Sequence, residues 1–345
     1  MKNNMMKKLL TMTLACAMTL SLAACGSKAE SPADSSADQN TAAPTETDAK
    51  TYKVAVINQL DHASLDEIAN AVTAELDQIS ADKNVKIEYE VTSGQGDQTI
   101  LKQLSDQAIA DGVDAIIPIA TTAAQIAALS AEETKPPVVY AAVSDPETAK
   151  LTGIDCVTGT SDALNTDFIM DMMFAVQPDI QTVGLLYSNS EANSTTPIAE
   201  AKAYLDAKGI AYVEKTGNTN DEIMTAASSM VGQVDAVFTP TDNVVMAAAA
   251  AVSETLTKGG IPFYTGADSF VTAGAFATCG VNYTELGTYT ADMALDILET
   301  GVVPAYHVMD GGIITVNTET AAALGIDYSA FNDLAGQVVE VTTAE

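Results

Sequence analysis

Two stretches of the chain carry polar residues of the kind that can bind a small charged molecule, and both have the same layout. Residues 234–243 read V-D-A-V-F-T-P-T-D-N, and residues 113–125 read V-D-A-I-I-P-I-A-T-T-A-A-Q. In each, an apolar segment typical of a buried strand ends in a polar turn that leads into an alanine-rich helix. Ligands of open α/β sheets bind outside the carboxyl ends of the strands, close to helix N-termini. The two stretches therefore predict the two walls of a cleft.

The polar turns offer two complementary chemistries. Helix N-termini carry free N–H groups and a partial positive charge, so they can bind a carboxylate without any arginine. Hydroxyl and amide groups beside such N–H groups are supplied by Thr121, Thr122, Asn193, Ser194 and Thr195. A ligand ammonium group needs an anion, for which Asp242 and Asp268 are the candidates. A site that binds a carboxylate on one wall and an ammonium group on the other predicts an α-amino acid as the ligand. Serine, threonine, aspartate and asparagine are, however, also the preferred helix caps.

The elements that would position these turns alternate between strand and helix from Lys53 onward. Two such series follow one another, and the strand at 53–58 corresponds to the strand at 182–187. An alternating series of this kind is typical of a parallel, doubly wound sheet. We therefore expect an α/β protein with two similar doubly wound parallel-sheet lobes joined by a multi-strand hinge. Lobe 1 is predicted to comprise residues 51–155 and 275–305, and lobe 2 residues 156–274 and 306–345.

The overall charge limits the class of partner. The chain has 46 acidic residues and 15 basic residues, all of them lysine, which gives a formal net charge of −31. Nucleic acids and anionic membrane surfaces are bound through basic patches. We therefore expect a small-molecule ligand and no nucleic acid partner.

The N-terminal segment has the pattern of a lipoprotein signal peptide. A lysine-containing start is followed by an apolar core, Leu9 to Leu22, which is too short for a comfortable membrane span. The sequence L-A-A-C-G then predicts cleavage after residue 24 and attachment of a diacylglyceryl group, with fatty acids such as palmitate, to Cys25. Residues 25–50 contain few large apolar residues and predict a flexible tether. The folded part is thus expected to be lipid-anchored on the extracytoplasmic face of the cell membrane.

Two cysteines remain in the folded part, Cys156 and Cys279. An extracellular setting would permit a disulfide between them, but their apolar segments favour two buried free thiols. No cysteine or histidine cluster indicates a metal, and no motif indicates a cofactor. His62 next to Asp61 lacks a nucleophile in a recognisable frame, so we expect a polar contact or a surface position for His62 and no enzymatic activity.

Six short motifs of the folded part are similar to those of one known family. They are N-V-K-I-E-Y (84–89), G-D-Q (96–98), A-V-S-D-P (142–146), V-G-L-L-Y-S-N-S-E-A-N-S (183–194), P-T-D-N (240–243) and Y-T-E-L-G (283–287). With these motifs the chain resembles the ABC-transporter substrate-binding lipoproteins of the tryptophan/tyrosine type. The resemblance covers nearly all of residues 52–328.

The resemblance implies a type I periplasmic-binding-protein fold that captures an amino acid, often an aromatic one, between its lobes. It also implies delivery of that ligand to an ABC permease and its ATPase. The ligand contacts that it implies are Gln59, Thr121, Thr122, Ser144, Asn193, Ser194, Asp242 and Asp268. The family's usual Pro-Ala after the first threonine of the 113–125 stretch is replaced by Thr122-Ala123, which changes the expected pocket.

Three alternatives are open on the sequence alone. The ligand could be a nucleoside or a sugar, although sugar sites of this fold commonly use tryptophan and arginine, and the chain has neither. A closed binding protein could equally signal to a membrane sensor. A surface enzyme has no support beyond His62 and Asp61. We expect a monomer.

Overall fold

The computed structural model describes residues 50–344. The predicted signal peptide, the lipidation site at Cys25 and almost all of the predicted tether lie outside the described residues. Between residues 50 and 344, no helix is both long and apolar enough to cross a membrane.

Strands and helices alternate along the described chain as the sequence predicts. The strands are β1 (Thr51–Asn58), β2 (Lys86–Ser93), β3 (Ala115–Ile119), β4 (Val138–Tyr140), β5 (Val157–Ser161), β6 (Thr182–Tyr187), β7 (Ala211–Thr216), β8 (Ala236–Thr239), β9 (Phe263–Thr265), β10 (Ala277–Gly280), β11 (His307–Val308), β12 (Ile313–Asn317) and β13 (Val338–Val341). The helices are α1 (Ala63–Asp82), α2 (Gln98–Ala110), α3 (Thr121–Ser130), α4 (Thr166–Val176), α5 (Thr195–Lys208), α6 (Asn220–Met230), α7 (Asn243–Ala247), α8 (Ala249–Lys258), α9 (Asp268–Thr272), α10 (Tyr283–Thr300), α11 (Thr318–Leu324) and α12 (Phe331–Leu334). A single 3₁₀ turn, Ala192–Ser194, precedes α5.

The strands form two sheets, which define two lobes. Lobe 1 has the strand order β11-β5-β4-β3-β1-β2, and lobe 2 has the order β13-β12-β10-β9-β8-β6-β7. Neighbouring strands run parallel, except that β10 and β12 are antiparallel. The predicted fold class, two parallel-sheet α/β lobes, is therefore confirmed.

Helices cover both faces of each sheet, because successive strand residues point to opposite faces. In β1, Val54 and Val56 pack in one apolar cluster with α1 and α10, while Ala55 and Ile57 pack in another with α2 and α3. The contact between α1 and α10 requires Gly287 of the Y-T-E-L-G motif. A Cβ atom at Gly287 would lie 2.6 Å from the Cβ of Ala71, so only glycine allows this approach.

Three strands lie in a different lobe from the one that the predicted boundaries gave them. Residues 157–161 were expected in lobe 2, but β5 pairs with β4 of lobe 1. Residues 277–280 were expected in lobe 1, but β10 pairs with β9 and β12 of lobe 2. Residues 307–308 were expected in lobe 2, but β11 pairs with β5 of lobe 1. The sequence could not show this, because these strands are short and lie beside a crossing. The chain crosses between the lobes after β5, after β10 and after β11.

The two cysteines of the described part, Cys156 and Cys279, are buried free thiols. Burial raises the pKa of Cys279 to about 11, so the thiol stays protonated and unreactive. The expectation of free thiols is confirmed.

Candidate functional site

The two sheets direct the carboxyl ends of their strands toward a common cleft between the lobes. Residues of both lobes enclose one small cavity there. Its polar walls are formed by His62, Ser64, Thr121, Ser144, Asp162, Asn193, Thr241, Asp242 and Asn243, and its apolar walls include Leu65, Met246, Phe270 and Tyr283. The cavity holds four of the eight predicted contact residues, which are Thr121, Ser144, Asn193 and Asp242.

The lobe 1 wall begins where β3 runs into α3. Ala120 caps this helix with a φ of 77°, a strained value for a residue with a Cβ. The following residue, Thr121, is buried, and its Oγ1 has no hydrogen-bond partner in the described part of the chain. A second alanine, Ala142, lines the cavity with a φ of 55° after β4. Strain at two neighbouring strand ends is typical of a backbone shaped for a ligand.

Asp242 lies on the lobe 2 wall and has no exposed surface. Its Oδ1 accepts a hydrogen bond from the Val245 N–H at 3.0 Å and thereby caps α7. Its Oδ2 accepts from the Ser188 N–H and from Ser194 Oγ, each at 2.7 Å. Burial raises the pKa of Asp242 against the lowering effect of these bonds. Asp242 thus joins two loops of lobe 2 in addition to lining the cavity.

Asn193 and His62 line the cavity, and each has one buried atom that can accept a hydrogen bond. The Nδ2 group of Asn193 donates to the backbone oxygen of Thr241 at 2.6 Å, which leaves its Oδ1 buried without a partner. His62 uses Nε2 for a hydrogen bond to Asn243 Oδ1 at 3.0 Å, and its Nδ1 is likewise buried without a partner. Buried polar atoms normally have partners. These two atoms and Thr121 Oγ1 are therefore available to a ligand.

Ser144 connects the lobes at the far side of the cavity. Its hydroxyl donates to Asp162 Oδ1 at 2.9 Å and lies 3.1 Å from Thr241 Oγ1 of lobe 2. The other carboxylate oxygen of Asp162 accepts from the Tyr283 hydroxyl at 3.1 Å. Burial raises the pKa of Asp162.

An apolar side chain could pack against one part of the cavity wall. Phe270 is fully buried there and stacks edge-to-face on Phe263, with ring centroids 6.3 Å apart. Leu65 and Met246 lie beside it. The free volume of about 20 Å³ is room for about one water molecule. The lobes must therefore move apart, or side chains must rearrange, before a larger molecule enters.

Four side chains form a hydrogen-bonded chain between the lobes, here called the interlobe network. It consists of Gln59 and His62 from lobe 1 and Glu191 and Asn243 from lobe 2. Gln59 Nε2 donates to Glu191 Oε1 at 2.7 Å, and Asn243 Nδ2 donates to Glu191 Oε2 at 2.6 Å. Burial, and next the negative charge of Asp242, raise the pKa of Glu191 to about 7. Burial lowers the pKa of His62 to about 4.

The other four predicted contact residues do not line the cavity. Gln59 belongs to the interlobe network, and its Oε1 accepts from the Thr122 N–H at 3.0 Å. Ser194 binds Asp242 from within lobe 2. Asp268 lines a neighbouring cavity together with Glu67.

The sequence did not single out Glu191, Asn243 and Asp162 as functional residues. Glu191 and Asn243 lie in polar turns that were recognised, S-N-S-E-A-N-S and P-T-D-N. An acidic residue inside a turn that otherwise carries hydroxyls and amides was the available signal for Glu191. The polar contact predicted for His62 is confirmed.

The comparisons with known proteins agree with this geometry. The family model of the ABC transporter substrate binding protein matches residues 53–338. The tyrosine-binding protein of Clostridioides difficile (strain R20291) is 30% identical over 289 residues, which is 81% of this chain and 82% of that protein. The crystal structure of an ABC domain from Streptococcus pneumoniae in complex with L-Trp is 30% identical, with a TM-score of 0.77. The match covers 84% of the present chain and 100% of the chain in that crystal structure.

A further solved structure is the ligand-free, open form of a substrate-binding protein with adhesive properties from Clostridium difficile. Its sequence is 28% identical to the present chain, and the TM-score is 0.63. The match covers 85% of the present chain and 100% of the chain in that structure. The family match spans nearly all of the described residues, and the two-lobed architecture is that of type I periplasmic binding proteins. This chain belongs to the family of ABC transporter substrate-binding proteins.

Proposed function

We propose that this protein captures an α-amino acid with an aromatic side chain between its lobes and delivers it to an ABC permease and its ATPase. The observation that carries the proposal is that three residues lining one interlobe cavity each have a buried polar atom without a hydrogen-bond partner in the described part of the chain. The atoms are Thr121 Oγ1, Asn193 Oδ1 and His62 Nδ1. A ligand that fills the opened cleft would supply their missing hydrogen-bond partners.

The charges of the site match the two ends of an amino acid. The ligand carboxylate would be bound by the Thr121 hydroxyl and the positive N-terminal end of α3. The ammonium group would lie near Asp242 and Asn193 Oδ1, the anion and the free acceptor of the lobe 2 wall. The side chain would pack against Phe270, with Leu65 and Met246 beside it. Thr122, Gln59 and Ser194 would act behind these contacts, because they do not reach the cavity.

The relatives support the aromatic assignment. One is a tyrosine-binding protein, and another was solved in complex with L-Trp. The TM-score is higher for the L-Trp complex than for the ligand-free open relative, 0.77 against 0.63. The higher similarity to the ligand-bound relative fits a closed arrangement of this protein, in which hydrogen bonds join the two lobes.

Closure of the lobes would present the surface that the permease recognises, since a ligand held by both walls favours the closed state. We further propose that the mature protein is a monomer, tethered through a lipid on Cys25 to the extracytoplasmic face of the membrane. Asp268 is not assigned a ligand contact in this proposal, because it faces the neighbouring cavity.

Isothermal titration calorimetry with ligand-stripped protein tests the function. The panel should contain L-Trp, L-Tyr and L-Phe, with L-Leu, a nucleoside and a hexose as comparisons. We expect the aromatic amino acids to bind and to raise the melting temperature, as any ligand specific to the folded state does. If the nucleoside or hexose binds and all three aromatic amino acids fail, the proposed ligand class is wrong.

A further inference from the structure

Glu191 has no part in the ligand contacts proposed above, yet it is buried at the centre of the interlobe network. The orientation of its neighbour Gln59 is fixed, because Gln59 Oε1 accepts from the Thr122 N–H at 3.0 Å. Gln59 therefore presents its NH₂ group to Glu191 Oε1, 2.7 Å away, and this oxygen must accept. A proton on Glu191 must consequently lie on Oε2, which faces Asn243.

The side-chain amide of Asn243 transmits the state of Glu191 to His62. While Glu191 is ionised, Asn243 donates from Nδ2 to Glu191, and its Oδ1 accepts from His62 Nε2. When Glu191 takes up a proton from solvent, Asn243 must turn its oxygen to Glu191 and its NH₂ group to His62, because every bond needs one donor and one acceptor. His62 Nε2 then has to accept, and the ring keeps its single proton on Nδ1 instead.

We propose that Glu191 is a positioning residue that sets, through Asn243, which nitrogen of His62 carries the proton, and thereby links ligand capture to proton uptake. His62 lines the cavity, and its Nδ1 is buried without a partner in the described part of the chain. With Glu191 ionised it accepts a hydrogen bond from the ligand, and with Glu191 protonated it donates one. The inference rests on the proposed function only for the identity of the ligand.

The burial and the charges of the interlobe network put the change of the His62 tautomer near neutral pH. Burial, followed by the repulsion of Asp242, raises the pKa of Glu191 to about 7 in the closed protein. Burial lowers the pKa of His62 to about 4, against the smaller opposing effect of Asp61, so the ring stays neutral across this range. Separation of the lobes would expose Glu191 to water and return its pKa toward the ordinary value of 4.5. Closure therefore takes up a proton between about pH 4.5 and pH 7, and capture strengthens as the pH falls through this range.

Nitrogen-15 NMR of the histidine rings tests the inference directly, because the two imidazole nitrogens give different shifts in the two tautomers. The full chain has only two histidines, so His307→Gln leaves the spectrum of His62 alone. We expect the proton of His62 to pass from Nε2 to Nδ1 as the pH falls through about 7. The series is recorded with and without L-Trp, and small-angle scattering identifies the samples with closed lobes, because only closure joins Asn243 to His62.

The variant Glu191→Gln should hold His62 in one tautomer. Its NH₂ group must face Asn243, as the protonated acid does, so His62 should keep the Nδ1–H tautomer at every pH. Glu133→Gln removes an exposed carboxylate outside the network and should behave as the wild type. In calorimetry, the wild-type affinity for L-Trp should rise by up to about tenfold per pH unit as the pH falls from about 7 toward 4.5, and Glu191→Gln should show no such change.

Two results would overturn the inference. One is a wild-type His62 that, in protein whose lobes small-angle scattering shows to be closed, holds the same tautomer above and below pH 7. The other is a Glu191→Gln protein whose tautomer follows pH as the wild type does. Failure of L-Trp to bind, with the tautomer change intact, would instead count against the proposed ligand and leave the role of Glu191 standing.

Discussion

Gln59 Nε2 and Glu191 Oε1 lie 2.7 Å apart across the cleft, so a lobe 1 amide and a lobe 2 carboxyl group are in direct contact. Both side chains are buried, with 3% and 6% of their surfaces exposed. A buried hydrogen bond to a charged partner contributes about 1.5–3 kcal/mol. Separation of the lobes gives up this bond, and closure restores it. The pair therefore stabilises the closed state in addition to any contact with the ligand.

Replacement of Gln59 by methionine keeps the length of the side chain and removes the contact with Glu191. Because Gln59 does not line the cavity, we expect its effect to come from a less stable closed state. The affinity for the ligand should fall by about tenfold to a hundredfold, which corresponds to roughly 1.5–3 kcal/mol. Calorimetry measures the affinity, and small-angle scattering measures the fraction of open molecules. The exposed Gln107→Met is the control, and equal affinities for both variants would contradict this role.

Replacement of Asp242 by asparagine should cost much more affinity than Thr122→Ala. Asp242 supplies the only carboxylate of the lobe 2 cavity wall, whereas Thr122 lies outside the cavity. Loss of a buried charged partner costs roughly 3–5 kcal/mol, so we expect a loss of more than a hundredfold for Asp242→Asn and about none for Thr122→Ala.

The same substitution of Asp242 should also lower the melting temperature, because it disturbs three hydrogen bonds within lobe 2. Asp235→Asn separates the two effects. Asp235 accepts from the backbone N–H groups of Gln181 and Thr182 but lies away from the cavity. Its substitution should reduce stability and leave affinity unchanged. Equal losses of affinity for Asp242→Asn and Thr122→Ala would show that the two walls do not divide the charges as proposed.

Replacement of Thr121 by valine should weaken binding without weakening the fold. The Thr121 hydroxyl has no partner within the described residues, so its removal breaks no internal hydrogen bond. The ligand would lose one hydrogen bond to its carboxylate, which is worth about 1.5 kcal/mol, or roughly tenfold in affinity. Thermal unfolding should show an unchanged or raised melting temperature. Thr122→Val, on the next residue of the same helix, is the matched control, and an unchanged affinity for Thr121→Val would remove Thr121 from the contacts.

The stability of the protein should depend on pH through Glu191. The folded pKa is raised to about 7 from an ordinary value of 4.5. The stabilisation from this group is therefore fully present below pH 4.5 and is lost as the pH rises to about 7. The free energy of unfolding, relative to Glu191→Gln, should fall by at most about 1.4 kcal/mol per pH unit in that window. Urea unfolding of the wild type and of Glu191→Gln at several pH values measures this difference. If the free energies of unfolding of the two proteins depend on pH in the same way, the pKa of Glu191 is not raised.

Hydrophobic periodicity was sufficient to predict the fold class, because buried parallel strands and amphipathic helices have different repeats. It did not place β5, β10 and β11 in the correct lobe. All three are short segments next to a crossing, and only strand pairing distinguishes the two sheets. A lobe assignment therefore needs long-range contacts that no local pattern encodes.

The candidate site was predictable where a residue ends a strand and begins a helix, as Thr121 and Asp242 do. It was not predictable for residues that act across the cleft. Gln59 was expected at the ligand but lies against Glu191, because the relation between two lobes is set by the hinge and not by either local sequence. For the same reason no pattern showed that Glu191, Asn243 and His62 would meet.

Lipid attachment at Cys25 remains a prediction from the sequence L-A-A-C-G. A thioether-linked lipid requires the thiol, so Cys25→Ser should abolish labelling by a radioactive or alkyne-tagged palmitate. Anchoring needs apolar chains in the bilayer, because each buried CH₂ contributes about 0.8 kcal/mol. The variant should therefore move from the membrane fraction to the soluble fraction or remain unprocessed. Cys156→Ser and Cys279→Ser, on buried thiols of the folded part, are the controls and should keep both label and anchor. Palmitate labelling that survives Cys25→Ser would place the anchor elsewhere in the chain.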